Sequence, residues 1–301
     1  MNIMPRSRAR GFTLVEMIVA IVVLGILSAI IAVFIRAPIL AYRDGVDRGE
    51  ITDQADLALR RMARDIRLAL PNSVRVSGDG SHLEFLQTRS GARYLATEDG
   101  VSQDLVLSFE DTAKNTFTAL APPASFSRVV AGDSVVVFNL GYEQANAWAG
   151  LDASGAGNIA RITARADGST VLPGMSSSVP TVQLTLSSNP FARQTVPLAS
   201  PDMRFQVVSG PVSFYCQAGA DGTLNLWRAW NYAINPIQAI PATASRALVA
   251  TRLNRCGRLF STATTASQRA GLVGINLELR GRYDSARAIR LVQQVHVDNT
   301  P

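Results

Sequence analysis

The sequence predicts an α+β protein in which one long N-terminal α-helix packs on a mainly antiparallel β-sheet domain. Residues 12–70 carry a long apolar run followed by an amphipathic helical pattern. Residues 71–301 instead show short runs of β-branched and alternating residues, separated by Gly, Pro, Asn and Asp. Because no long helical pattern recurs between these runs, we expect the strands to pair antiparallel.

The apolar run predicts a membrane-spanning helix over about residues 14–36. Its centre, Met17 to Ile35, is nineteen residues without a charge, and at about 1.5 Å per residue it nearly crosses the hydrocarbon core of a bilayer. Basic residues precede the run. The positive-inside rule therefore predicts a single-pass inner-membrane protein with a cytoplasmic N-terminus and a periplasmic globular domain.

Three other interpretations of the run are a cleaved signal peptide, a plain signal anchor and a buried core helix. A signal peptide has a shorter apolar region and an A-x-A-like cleavage site, and a core helix would not need so long an uncharged run. A plain anchor explains the length of the run. It leaves unexplained Glu16, which lies inside apolar sequence beginning at Phe12.

Glu16 requires a partner, because an intramembrane carboxylate costs a few kcal/mol on insertion scales. A new α-amino group on Phe12, created by cleavage after Gly11, would lie about one helical turn away in the same chain or in a neighbouring subunit. The sequence therefore makes physical sense if the chain is cut between Gly11 and Phe12 and if subunits pack helix to helix.

The segment Arg10-Gly11-Phe12-Thr13-Leu14-Val15-Glu16-Met17 resembles the processing motif of type IV prepilins. The resemblance implies that a prepilin peptidase removes the leader 1–11 and N-methylates Phe12. It also implies that Glu16 docks each subunit against a neighbour's amino terminus. The implied partners are the prepilin peptidase, the inner membrane and other minor and major pilins, which this chain would join through its N-terminal helix.

The helical pattern after the run is interrupted before it resumes. Pro38, Gly45 and Gly49 predict a kink or a locally melted segment, because proline removes a helix hydrogen bond and glycine weakens a helix by about 1 kcal/mol relative to alanine. From residue 50 to residue 70 the pattern is amphipathic, and Pro71-Asn72 should end the helix. Its apolar stripe comprises Ala55, Leu59, Met62, Ile66 and Ala69. Its charge pairs four residues apart are Asp56–Arg60 and Arg61–Asp65. Its arginines are Arg60, Arg61, Arg64 and Arg67.

The alternating runs predict twelve strands in the C-terminal domain. These are Ser73–Val76, Leu83–Gln87, Leu105–Phe109, Ser134–Asn139, Ile162–Ala166, Val182–Leu186, Phe205–Val208, Val212–Tyr215, Leu224–Trp227, Leu248–Arg252, Val273–Leu279 and Ile289–Val297. The domain also holds the two cysteines of the chain, Cys216 and Cys256. Outside the cytoplasm this even count fits one disulfide, and two free buried thiols are the alternative.

The sequence holds no constellation typical of catalysis, so we expect no enzyme activity, no cofactor and no structured metal site. There are only two histidines: His82 is expected in an exposed turn and His296 in a strand. Trp227, Trp230 and Tyr232 fit core or cross-strand packing better than a ligand platform. Phosphate-loop, nucleophile-elbow and zinc-protease motifs do not occur, and an irregular Ca²⁺ site of loop aspartates is left open.

Three strings in the C-terminal domain resemble the MshO minor pilins of the mannose-sensitive haemagglutinin (MSHA) pilus. They are Gly210-Pro211-Val212-Ser213-Phe214-Tyr215-Cys216, Leu253-Asn254-Arg255-Cys256 and Val295-His296-Val297-Asp298-Asn299-Thr300-Pro301. The resemblance implies a minor structural subunit of an MSHA-type pilus. A minor pseudopilin of type II secretion is an alternative, as is a tip subunit that binds DNA or a surface. The net charge of +6 supports DNA binding only weakly, because half of the excess lies in the leader.

Overall fold

The structure, a computed structural model, describes residues 11–264, 270–282 and 288–300. One α-helix, α1 (Leu14–Ile66), precedes the strands β1 (Arg75–Val76), β2 (His82–Tyr94), β3 (Thr116–Leu120), β4 (Ser134–Val137), β5 (Ile159–Thr170), β6 (Val179–Leu186), β7 (Arg204–Ala218), β8 (Leu224–Trp230), β9 (Ser245–Ala250), β10 (Phe260–Thr264), β11 (Ala270–Arg280) and β12 (Ala288–Asp298). All pairings of these strands are antiparallel. The predicted α+β class is confirmed.

The chain divides into two compact units within α1, the first ending at Glu50 and the second beginning at Ile51. In the first unit α1 is helical through Pro38, Gly45 and Gly49. The expected locally melted segment is therefore wrong, whereas the expected kink stays a prediction. Proline removes only one helix hydrogen bond, and the good helix formers on both sides of Pro38 continue the helix.

In the second unit the apolar stripe of α1 enters the core, as predicted. Ala55, Met62 and Ile66 have no exposed surface, and Leu59 is 6% exposed. The helix ends at Ile66, four residues before the predicted stop, because the chain tightens into a turn in which the Leu68 amide donates to the Asp65 carbonyl.

Six strands of the second unit close into an antiparallel barrel. Their order is β2–β3–β6–β5–β4–β7, and a further pairing of β7 with β2 completes the ring. The inward side chains form one buried aromatic and aliphatic cluster that includes Phe117, Phe126 and Phe205. The Phe117 and Phe205 rings meet edge to face, with centroids 5.2 Å apart. Closure leaves the barrel without a free sheet edge along this ring.

The helix packs on a second core, formed outside the barrel. The long strands β2 and β7 contribute to both regions: the Val207–Val208 part of β7 pairs with β4, and its Val212–Ala218 part pairs with β8. Between the two parts lies Gly210, whose φ of 120° favours glycine. α1 shares this core with β2, β7, β8 and the small sheet β10–β11–β12.

Three strand predictions are wrong. Leu105–Phe109 is not a strand: Leu105 belongs to a 3₁₀ turn, Gln103–Leu105, and no strand follows it up to Phe109, although Val106 and Leu107 are buried. Phe205–Val208 and Val212–Tyr215 are one strand rather than two. The short strands β3 and β10 were not predicted, because five residues between polar turns carry too little period-two signal.

Candidate functional site

The candidate processing segment lies just before α1 and is held by a helix cap. Residues 11–13 are not helical, and α1 begins at Leu14. The Glu16 amide donates to Thr13 Oγ1 over 3.3 Å, and the Met17 amide donates to the Thr13 carbonyl over 3.2 Å. Thr13 is therefore the N-cap residue. The sequence reasoning missed this role, although Thr13 and Glu16 have the spacing of a capping box.

The proposed cleavage site is open. Gly11 is exposed, and a Cβ built on it would meet no atom within 4 Å. Phe12 is 78% exposed. Because packing against the described residues does not require a glycine at position 11, any requirement for one would come from an enzyme that cleaves the bond.

Glu16 stands in the first turn of an apolar, exposed helix. Glu16 is exposed, and Leu14, Val15 and Met17 around it are 77%, 69% and 55% exposed. The helix that begins here is long and apolar enough to cross a membrane by length and composition. One charged carboxylate on such a surface favours burial against a partner that supplies a positive group. Its pairing with the amino group of Phe12 stays a prediction.

The two cysteines form a disulfide in the second unit. Cys216, on β7, and Cys256, in the β9–β10 connection, are joined with Cα atoms 5.3 Å apart. The structure thus agrees with the disulfide and not with two free thiols. The bond ties a strand of the large sheet to the segment leading into the small sheet, and both sheets line the core that holds residues 51–66 of α1.

His82 lies on β2 in a partly buried chain of hydrogen bonds, so its predicted place in an exposed turn is wrong. Tyr232 donates its hydroxyl proton to Glu84 Oε1 over 2.6 Å. The Ser213 hydroxyl therefore donates to the Tyr232 oxygen over 2.7 Å, and the Ser213 oxygen accepts from His82 Nε2 over 2.8 Å. Arg75 completes the chain with an ion pair to Glu84 Oε2 at 2.6 Å.

The geometry of these hydrogen-bonded side chains indicates a structural role and not a catalytic one. Ser213 has no exposed surface, and its hydroxyl is used both as donor and as acceptor, so it has no path to a substrate. Burial, and secondarily the Arg75 guanidinium, lowers the pKa of His82 to about 4. Burial, and then the hydrogen bond to Glu84, raises the pKa of Tyr232.

The other residues singled out from the sequence do not meet at one site. His296 is exposed on β12. Trp227 and Tyr232 pack against the small cluster around Tyr215 and Ala229, whereas Trp230 packs against the helix core. The arginines of α1 are exposed, and no group of three or more His, Cys, Asp or Glu residues within the described parts of the chain could hold a metal ion.

Residues 6–32 match the family model of the prokaryotic N-terminal methylation motif. No curated protein and no solved structure matches the chain. The match, together with the exposed apolar helix and the antiparallel β domain that follows it, supports a type IV pilin-like or pseudopilin subunit. Proteins with this motif are typically structural, and the motif implies processing by a prepilin peptidase and assembly with pilins. The apolar helix fits a membrane-anchored pilin.

Proposed function

We propose that this chain is a minor structural subunit of an MSHA-type type IV pilus, without enzymatic activity. A prepilin peptidase cuts between Gly11 and Phe12 and methylates Phe12, and the mature subunit polymerises through its N-terminal helix. Before assembly its globular domain lies in the periplasm. The observation that carries the proposal is the methylation motif at residues 6–32, of which residues 14–32 lie on a capped helix whose apolar surface is exposed.

The MSHA type rests on the resemblance of the three strings in the C-terminal domain, and these strings lie together in the structure. Phe214 of the first, Leu253 of the second, and Val295 and Val297 of the third are all buried in the single cluster that receives α1. The strings thus share one core around the helix. A type II secretion pseudopilin carries the same processing motif, so copurification of the subunit with a pilus or with a secretion pseudopilus separates the two assignments.

Intact mass spectrometry of the protein purified from its native membrane tests the processing step. A mass lacking residues 1–11 and carrying one added methyl group is expected. A mass that retains the leader would contradict the proposal and leave a plain anchored protein.

A further inference from the structure

The small sheet has one covered edge and one free edge. At β10 the Phe260 amide donates to the Gly80 carbonyl over 2.8 Å, which joins that edge to the β1–β2 turn. β12 pairs along its length with β11 and, within the parts of the chain that the structure describes, with no other strand. A free edge eleven residues long presents backbone donors and acceptors that can bind another strand.

The side chains of β12 separate cleanly onto two faces. The inner face packs in the core that holds residues 51–66 of α1 through Ile289, Leu291, Val295 and Val297, and the half-buried Gln293 lies among them. The outer face is exposed and comprises Arg290, Val292, Gln294, His296 and Asp298. Val292 is 62% exposed. The strand therefore offers an added strand both an apolar row and a charged row.

We propose that β12 pairs antiparallel with β12 of a second copy of this chain, about a two-fold axis at Gln294. In such an isologous pair, if residue i faces residue j of the other copy, then j faces i. Arg290 of each copy then lies opposite Asp298 of the other, and this pair occurs twice. On the inner face Leu291 lies opposite Val297 and Gln293 lies opposite Val295, so the core row continues across the interface mainly through apolar residues.

Charge selects this register over its neighbours. An axis at position 293 places Arg290 opposite His296, which pairs two basic side chains. An axis at position 292 leaves Arg290 opposite Gln294, and an axis at position 295 places Asp298 opposite Val292. Among these four registers, only the axis at Gln294 pairs opposite charges, and cross-strand pairs of opposite charge stabilise a sheet.

Both charged groups are available for the contact. The Nε of Arg290 donates to Asn276 Oδ1 over 2.7 Å, which leaves the terminal amino groups of the guanidinium, as far as the described residues are concerned, for a carboxylate. Asp298 Oδ1 accepts from the Thr300 amide over 2.9 Å, and this bond lowers the pKa of Asp298. Its carboxylate is therefore charged at neutral pH. Within one copy the two residues cannot meet, since eight residues of strand separate them by about 26 Å.

Disulfide capture of the full-length chain in lipid nanodiscs tests the axis. Gln294→Cys places two thiols opposite each other across the axis, and the native cysteines are already joined. We expect oxidation to give at least tenfold more covalent dimer than in Val171→Cys, whose site is 57% exposed and lies outside the small sheet. Equal dimer in both variants would overturn the proposal, as would capture of a different protein in native membranes.

A charge exchange in the Gln294→Cys background tests the register. Arg290→Asp alone and Asp298→Arg alone each place like charges opposite one another, so dimer capture should fall about tenfold. The double variant restores opposite charges and should recover capture to within twofold. Unchanged thermal unfolding of each single variant excludes loss of fold. Unaffected single variants, or a double variant no better than the singles, would overturn the proposal.

Discussion

Asp65 on the last turn of α1 and Arg228 on β8 form an ion pair with 2.7 Å between Oδ2 and Nε. The side chains are only 15% and 13% exposed, and the Arg228 guanidinium lies 4.9 Å from the centre of the Trp230 ring. The helical spacing had predicted Arg61 as the partner of Asp65. The sheet supplies the partner instead, so this pair fixes the end of the helix against the strands.

Replacing Arg228 with Gln should lower the free energy of unfolding by about 2 kcal/mol, because Asp65 keeps a mostly buried charge without its partner. Arg60→Gln is the matched control. It breaks the exposed pair with Asp56, whose side chains are 73% and 48% exposed, and should change stability by less than about 0.5 kcal/mol. Urea unfolding of the full chain in detergent measures both values, and equal losses would contradict the distinction.

Removing the disulfide should cost about 4 kcal/mol in the chain-entropy description of a loop of this length. The loop runs between Cys216 and Cys256, forty residues apart. The double variant Cys216→Ser/Cys256→Ser should unfold at lower urea concentration than the oxidised protein. Reductant should bring the parent to the same midpoint and leave the variant unchanged. A variant as stable as the parent would show that the disulfide does not contribute to the free energy of unfolding.

The stability of the second unit should fall as the pH is lowered from about 6.5 to about 4. The folded pKa of His82 is lowered to about 4 from the ordinary value of 6.5, so in this window the unfolded chain binds a proton that the folded chain does not. The loss should be about 2 kcal/mol after allowance for partial exposure. His82→Gln should lose this part of the pH slope, whereas His296→Gln, on an exposed strand position, should keep it.

The sequence was informative wherever one local rule decided the structure. The uncharged run, the stripe from Ala55 to Ile66 and most strands followed from periodicity, because side-chain burial repeats at 3.6 or 2 residues. The break expected near Pro38 did not occur, because a proline removes one helix hydrogen bond and the loss of one bond did not end the helix.

Structural features that depend on contacts between residues distant in sequence could not be predicted. Barrel closure requires β2 to meet β7, more than a hundred residues later. The chain from His82 to Glu84 passes through Ser213 and Tyr232, which no local pattern connects to either residue. At the processing segment the missed feature was local, since the spacing of Thr13 and Glu16 already indicates the cap.

Gly11→Leu should leave uncleaved, membrane-inserted precursor. Since a side chain at Gly11 meets open space, the effect would arise at the peptidase and not from misfolding. Gly25→Leu is the matched control: it is also free of neighbours, lies inside the apolar helix and should be cleaved normally. Immunoblots of membrane fractions separate precursor from mature protein, and normal cleavage of Gly11→Leu would contradict the proposed site.

Glu16→Gln should be cleaved and inserted normally but should enter filaments at least tenfold less than the parent. The substitution removes the charge and keeps the length of the side chain. The helix cap joins the Glu16 backbone amide to Thr13 Oγ1 and does not involve the Glu16 side chain, so it should survive and the loss reports the carboxylate. Truncating one partner of a buried charge pair typically costs about 2–5 kcal/mol, which is ample for a tenfold effect.

Glu50→Gln, exposed on the same helix, serves as the control, and quantitative immunoblots of sheared filaments measure incorporation. Equal incorporation of Glu16→Gln and Glu50→Gln would show that the intramembrane carboxylate does not dock the subunit.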